Sequence, residues 1–147
     1  AKFMTEPECR WFIQRAEEHI DSTGGWSTDR HAQFPTTDFA LDSCSELFEW
    51  FAPRLSEDIF PTLASLYGVP LEAVMLNDLF VVKYEAGDEG VQDQLAAHYD
   101  DTLLSFSVLL SDPSDFEGGG TSFEVSFMEQ QTREEGGSSG EGKAEKE

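Results

Sequence analysis

The feature that most constrains the fold is a change of hydrophobic period part-way along the chain. Up to Tyr67 apolar residues recur at helical spacing; from Leu79 they gather in short β-branched and aromatic runs. Cys9, Phe12, Ile13, Ala16 and Ile20 mark one face of a first helix. Thr5-Glu6-Pro7-Glu8 starts it, with Thr5 as cap, Glu8 at the capping-box position and Pro7 in the first turn. Gly24-Gly25 ends it. Residues 26–42 read as a loop with a short extended piece. A second stripe, Leu47, Phe48, Phe51, Leu55, Ile59, Leu63 and Leu66, predicts a helix over about Cys44 to Tyr67. Pro53 and Pro61 are expected to kink or divide it, Ser56 to cap its second part, and Gly68-Val69-Pro70 to stop it.

The second half predicts strands at Leu79–Glu85, Leu95–Asp100, Leu103–Leu110 and Thr121–Phe127. A turn at residues 86–90 and a loop at 111–120, with Pro113 and three glycines, separate them. Leu103–Leu110 is expected to be largely buried. Helices first and strands after make an α+β chain, with helices backing one side of an antiparallel sheet. From Met128 the text turns to Gly, Ser and Glu without aromatics, and 128–147 is expected to be a disordered acidic tail or an interrupted loop.

The 147 residues fit one domain, and 39% apolar content with 12 Phe suffices for a core. Net charge is −21; residues 1–127 alone hold 24 acids and 6 bases, which leaves −18. Such a surface repels phosphate backbones, so nucleic acid is excluded as a partner. A self-repelling, soluble surface is the default meaning of the acidity, and a preference for a cationic peptide or protein is the alternative. No apolar run approaches the ~20 residues that span a bilayer, and no signal-peptide pattern is visible in a chain that starts at Ala1. Cys9 and Cys44 fit two free thiols or one disulfide, so they leave the compartment open.

One pair of residues points to chemistry. On a strand, His98 and Asp100 project to the same face and can hold one metal ion from one side. An imidazole and a carboxylate are two thirds of the facial triad that binds non-heme Fe(II) with sites left open. His19 and His31 are the only other histidines. The helix position of His19 makes packing or a surface role its default. His31 follows Arg30 in a loop, a poor platform for a ligand; lining a substrate path is the alternative role for the two.

The runs FVVKYEAG, HYD and LSFSVLLSDPSDFEGGGTSFE together resemble the iron- and 2-oxoglutarate-dependent dioxygenases of the prolyl 4-hydroxylase type. The upstream GGWSTDRHAQFPTTDFAL is similar to the lead-in of some members, so the resemblance spans about residues 10–127. It implies N-terminal helices packed on a double-stranded β-helix, a jelly-roll of about eight strands. Residues 1–127 then form the front part of that domain, with the jelly-roll incomplete. It also implies His98 and Asp100 as ligands of Fe(II), 2-oxoglutarate as co-substrate with Tyr84 as its hydrogen-bonding partner, and L-ascorbate to keep iron reduced. The expected partners are O2 and a peptide or protein substrate, with peptidyl proline the default. Lys83 faces away from Tyr84, and Leu109 stands where some relatives carry a tyrosine. Gly118 to Gly120 and Thr121 shape the barrel mouth; they are not a phosphate loop. In the family a distal His and a co-substrate base follow this turn. Here the polar tail takes their place, so the chain alone is expected to be an inactive fragment. The alternative is a non-catalytic binding module on the same fold.

Overall fold

A computed structural model of the chain describes residues 3–87 and 92–123. Residues 88–90 of the expected turn, residues 124–127 of the last expected strand and the expected tail 128–147 lie outside the described residues. Helix α1 spans Glu6–Thr23. The Glu8 carboxylate accepts hydrogen bonds from both the N–H and the hydroxyl of Thr5, each at 2.7 Å. Those two bonds, outweighing the modest cost of burial, hold the Glu8 pKa below its usual value, and the Arg54 guanidinium at 2.8 Å adds to the effect. Phe12, Ala16 and Ile20 are the buried face of α1. The helix ends where Gly24 turns left-handed at φ 108°, and Gly25 N–H closes back on the Ile20 carbonyl at 3.0 Å.

The second helical stretch is divided near its prolines, as the sequence predicts. Helix α2, Ser45–Arg54, passes through Pro53 into a π-turn at Leu55–Ile59 and on into α3, Phe60–Tyr67. Pro61 sits in the first turn of α3, where a missing N–H costs least. The regular α-helical ladder gives way to the π pattern between the two helices. Ser56 is not a cap: its hydroxyl donates to the Pro53 carbonyl at 2.9 Å. Gly68, at φ 64°, stops α3 as expected.

The sheet is small. Strand β1, Asp38–Ala40, pairs antiparallel with β2, Phe80–Val82, in the register Asp38 to Val82 and Ala40 to Phe80. β1 is the short extended piece of the 26–42 loop, and β2 is the centre of the expected Leu79–Glu85 strand. Leu95–Asp100 is irregular rather than a strand. Leu103–Leu110 alternates in burial with period two but joins no sheet, and it is half-buried, not largely buried. A jelly-roll is not shown: the described residues form mixed helix and a two-stranded antiparallel sheet.

The core lies between α1, α2 and β1. Leu47 is 0% exposed, and Phe12, Phe39, Leu41, Phe51, Leu55 and Ile59 surround it. Phe12 meets Trp50 and Phe51 edge-on at 5.8 and 6.1 Å between ring centroids, a favoured aromatic geometry. Cys9 and Cys44 are free thiols, as one of the two sequence readings allowed. No helix among the described residues is long and apolar enough to cross a membrane. The chain divides after Glu117. Of the second unit the described part, residues 118–123, is irregular, and Gly118 and Gly119 take the left-handed backbone that glycine permits.

Candidate metal-binding pair

The loop that brings His98 into place is tied down by one side-chain amide. Gln92 accepts a hydrogen bond from Thr37 N–H through its Oε1, and its Nε2 donates to the Pro35 carbonyl at 2.9 Å. Its own carbonyl accepts from Glu85 N–H at 2.9 Å. Gln92 therefore stitches the segment beyond β2 to the segment before β1, as a further rung of sheet does elsewhere. Phe34, just before the stitched residues, carries the His98 ring at 4.9 Å between centroids.

His98 and Asp100 come together although neither lies on a strand. His98 Nε2 is 3.3 Å from Asp100 Oδ1. His98 Nδ1 is 2.9 Å from the Ala96 carbonyl oxygen. A carbonyl only accepts, so Nδ1 carries the proton of that bond and Nε2 is the nitrogen turned to the carboxylate. Metal-bound histidines are oriented by this kind of backbone bond on the far nitrogen. Two ligand atoms about 2.1 Å from one ion on adjacent sites stand about 3 Å apart, close to the spacing found. The other carboxylate oxygen, Asp100 Oδ2, accepts from the Ser105 hydroxyl. The His98 side chain is 28% exposed and that of Asp100 50%, so the pair opens to solvent. Among the described residues no group of three His, Cys, Asp or Glu is placed to hold a metal.

Tyr84 lies two residues past β2 and is half-exposed. Burial pushes its phenol pKa up, so it stays a protonated donor well above neutral pH. Lys83 pairs with Glu17 of α1 at 3.1 Å and sits 5.5 Å from the Trp26 ring centre, a structural role on the face away from Tyr84.

Arg30 and His31 both converge on the Asp38 carboxylate. Arg30 Nη1 donates to Asp38 Oδ1 at 2.6 Å, and its Nη2 reaches both oxygens of Asp78 at 3.0 and 3.1 Å. Thr36 donates its hydroxyl to Asp38, and His31 Nε2 lies 3.5 Å from the same carboxylate. Partial burial penalises the Arg30 charge; the Asp38 and Asp78 carboxylates more than offset this and raise its pKa. The sequence held no sign of this cluster, because Arg30 and Asp78 are 48 residues apart. Gln92 was missed for the same reason. His19 Nε2 lies 3.1 Å from Ser43 Oγ and its ring packs on Phe39, so it combines the packing and surface roles that its helix position left open.

Comparison with known proteins found no matching family model, no matching curated protein and no matching solved structure.

Proposed function

We propose that His98 and Asp100 are two ligands of an Fe(II) site in a 2-oxoglutarate-dependent dioxygenase of the prolyl 4-hydroxylase type, acting on peptidyl substrates. One observation carries the reading: Nε2 of His98 and Oδ1 of Asp100 stand 3.3 Å apart, with the far nitrogen of the imidazole on a backbone carbonyl. That is the spacing two adjacent ligands of one ion need, and a backbone bond on the far nitrogen is what orients metal-bound imidazoles. Iron, when bound with 2-oxoglutarate and O2, supplies oxidative hydroxylation of a C–H bond, and ascorbate keeps it reduced. The residues here do the holding. His98 gives an imidazole nitrogen, Asp100 gives a carboxylate oxygen, and Ser105 fixes the carboxylate plane. Tyr84, with its protonated hydroxyl, is the donor proposed for the co-substrate.

Anaerobic titration with Fe(II), and with Co(II) as a coloured substitute, tests this. His98→Ala and Asp100→Ala are each expected to weaken binding by about tenfold or more. Equal affinity in both variants and the parent sinks the assignment and leaves the contact a plain ion pair. A second reading, a non-catalytic binding module, is favoured by the lack of a third ligand among the described residues. Succinate released from 2-oxoglutarate by the iron-loaded protein rules that reading out.

A further inference from the structure

A groove of about 300 Å³ lies between α3 and the segment around Phe106, and its lining does not include His98 or Asp100. Ile59, Leu63 and Leu66 form its helical side; Phe106 and Val108 form the other. Ser107 lines it too. Along 104–110 the even positions are half-buried and the odd ones exposed. Phe106, Val108 and Leu110 pack on the core. A groove touched by Phe106, Ser107 and Val108 in succession borders the main chain of this segment, not just one face of its side chains. That main chain is unpaired: among the described residues no main-chain to main-chain hydrogen bond involves residues 93–111. Among the described residues only the Leu104 carbonyl of 104–110 has a hydrogen-bond partner, the Thr102 hydroxyl at 3.3 Å, and a half-buried backbone of this kind is a template for a further strand.

Charge decides what kind of strand. The groove runs through Asp58 and Thr62 into a second hollow lined by Glu57, Asp58 and Pro61. The chain carries −21 overall. A second copy brings −21 more to the same place and is repelled. An extended segment with alternating apolar and basic residues is attracted, and its apolar side chains meet Leu63 and Leu66 while its basic ones meet Glu57 and Asp58.

We propose that this groove docks an extended, basic–apolar peptide segment by adding it as a strand beside residues 104–110. The groove's lining does not include His98 or Asp100, although Ser105, which donates to Asp100, lies within the segment to be paired, and the test is run without metal.

The probe is a fluorescein-labelled octapeptide of alternating valine and lysine, followed by anisotropy with the whole chain. Three comparisons accompany it: the same peptide with its backbone amides N-methylated, its glutamate-for-lysine counterpart, and the parent peptide against Leu66→Ser and Asp58→Asn. N-methylation keeps the charge and side chains but removes the donors. A loss of about tenfold on N-methylation, a loss of several-fold in Leu66→Ser, and no binding of the glutamate peptide are expected. Leu66 is 74% exposed, so its replacement leaves the core intact. If the N-methylated peptide binds as well as the parent, the attraction is charge alone and the docking proposal falls. It falls equally if sedimentation shows the chain dimerising and peptide fails to compete, since the occupant is then a second copy. The N-methylation arm changes only the probe, so it decides the matter even if a variant fails to fold.

Discussion

The cluster at β1 makes a prediction about which partner of an ion pair matters more. Asp38 is 0% exposed at its side chain, whereas that of Arg30 is 29% exposed and has a second carboxylate in Asp78. Removing Asp38 as Asp38→Asn leaves Arg30 charged, part-solvated and still paired with Asp78. Removing the guanidinium as Arg30→Met leaves Asp38 as a buried charge with a hydroxyl and an imidazole 3.5 Å away for company. Breaking a buried pair costs about 3–5 kcal/mol when the remaining charge is uncompensated. Losing a hydrogen bond to a charged group costs about 1.5–3 kcal/mol. Arg30→Met is therefore expected to cost about 3–4 kcal/mol at neutral pH, and Asp38→Asn about 2 kcal/mol. Methionine keeps the contact over the Phe80 ring, which lies 5.4 Å from the Arg30 guanidinium carbon, so packing loss contributes little. Urea unfolding followed by tryptophan fluorescence reads both, because Trp11, Trp26 and Trp50 pack against the core. The reasoning is refuted if Asp38→Asn costs as much as Arg30→Met. It is also refuted if the Arg30→Met cost is under about 1 kcal/mol, the level of an exposed pair. The double variant is expected to be less damaged than the sum of the two singles, since no unpaired charge is then left behind.

Two further predictions concern the helices. Leu47→Ala empties a fully buried position and is expected to destabilise by about 3 kcal/mol, within the usual range of about 2–5; a cost below about 1 kcal/mol in the same urea assay means that the site is not packed as described. Glu8 has a folded pKa below its unfolded one, chiefly from its bonds to Thr5. Its contribution is therefore present above the ordinary carboxylate range and lost as pH falls through the folded value. Glu8→Gln is expected to flatten the acid limb of the stability–pH curve, and an unchanged slope between wild type and variant contradicts it.

The helices were legible because helix formation is local. Capping at Thr5 and Glu8, the stripe of Phe12, Ala16 and Ile20, and the glycine stops at Gly24 and Gly68 depend on neighbours within a turn or two. The proline signal was legible too, since α2 ends one residue past Pro53 and Pro61 stands in the first turn of α3; that a π-turn joins the two helices was not. Strands were harder. Leu79–Glu85 found a partner in β1, but the equally strand-like Leu103–Leu110 has none among the described residues, because pairing is a property of two segments and not of one.

The sequence by itself determined the mix of helix and strand, the acidic charge and the residue types at His98 and Asp100; the expected order of helices first and strands after does not hold, because β1 lies between α1 and α2. The two-residue spacing of His98 and Asp100 makes closeness available to any extended or turning backbone. Only the tertiary structure decided that Nε2 faces the carboxylate, because the Ala96 carbonyl claims the other nitrogen and Phe34 holds the ring. It alone decided that Arg30 serves Asp38 and Asp78, and that Gln92 pins Pro35 and Thr37. Contacts across some fifty residues arise from packing the elements together, and no local pattern of side chains encodes them.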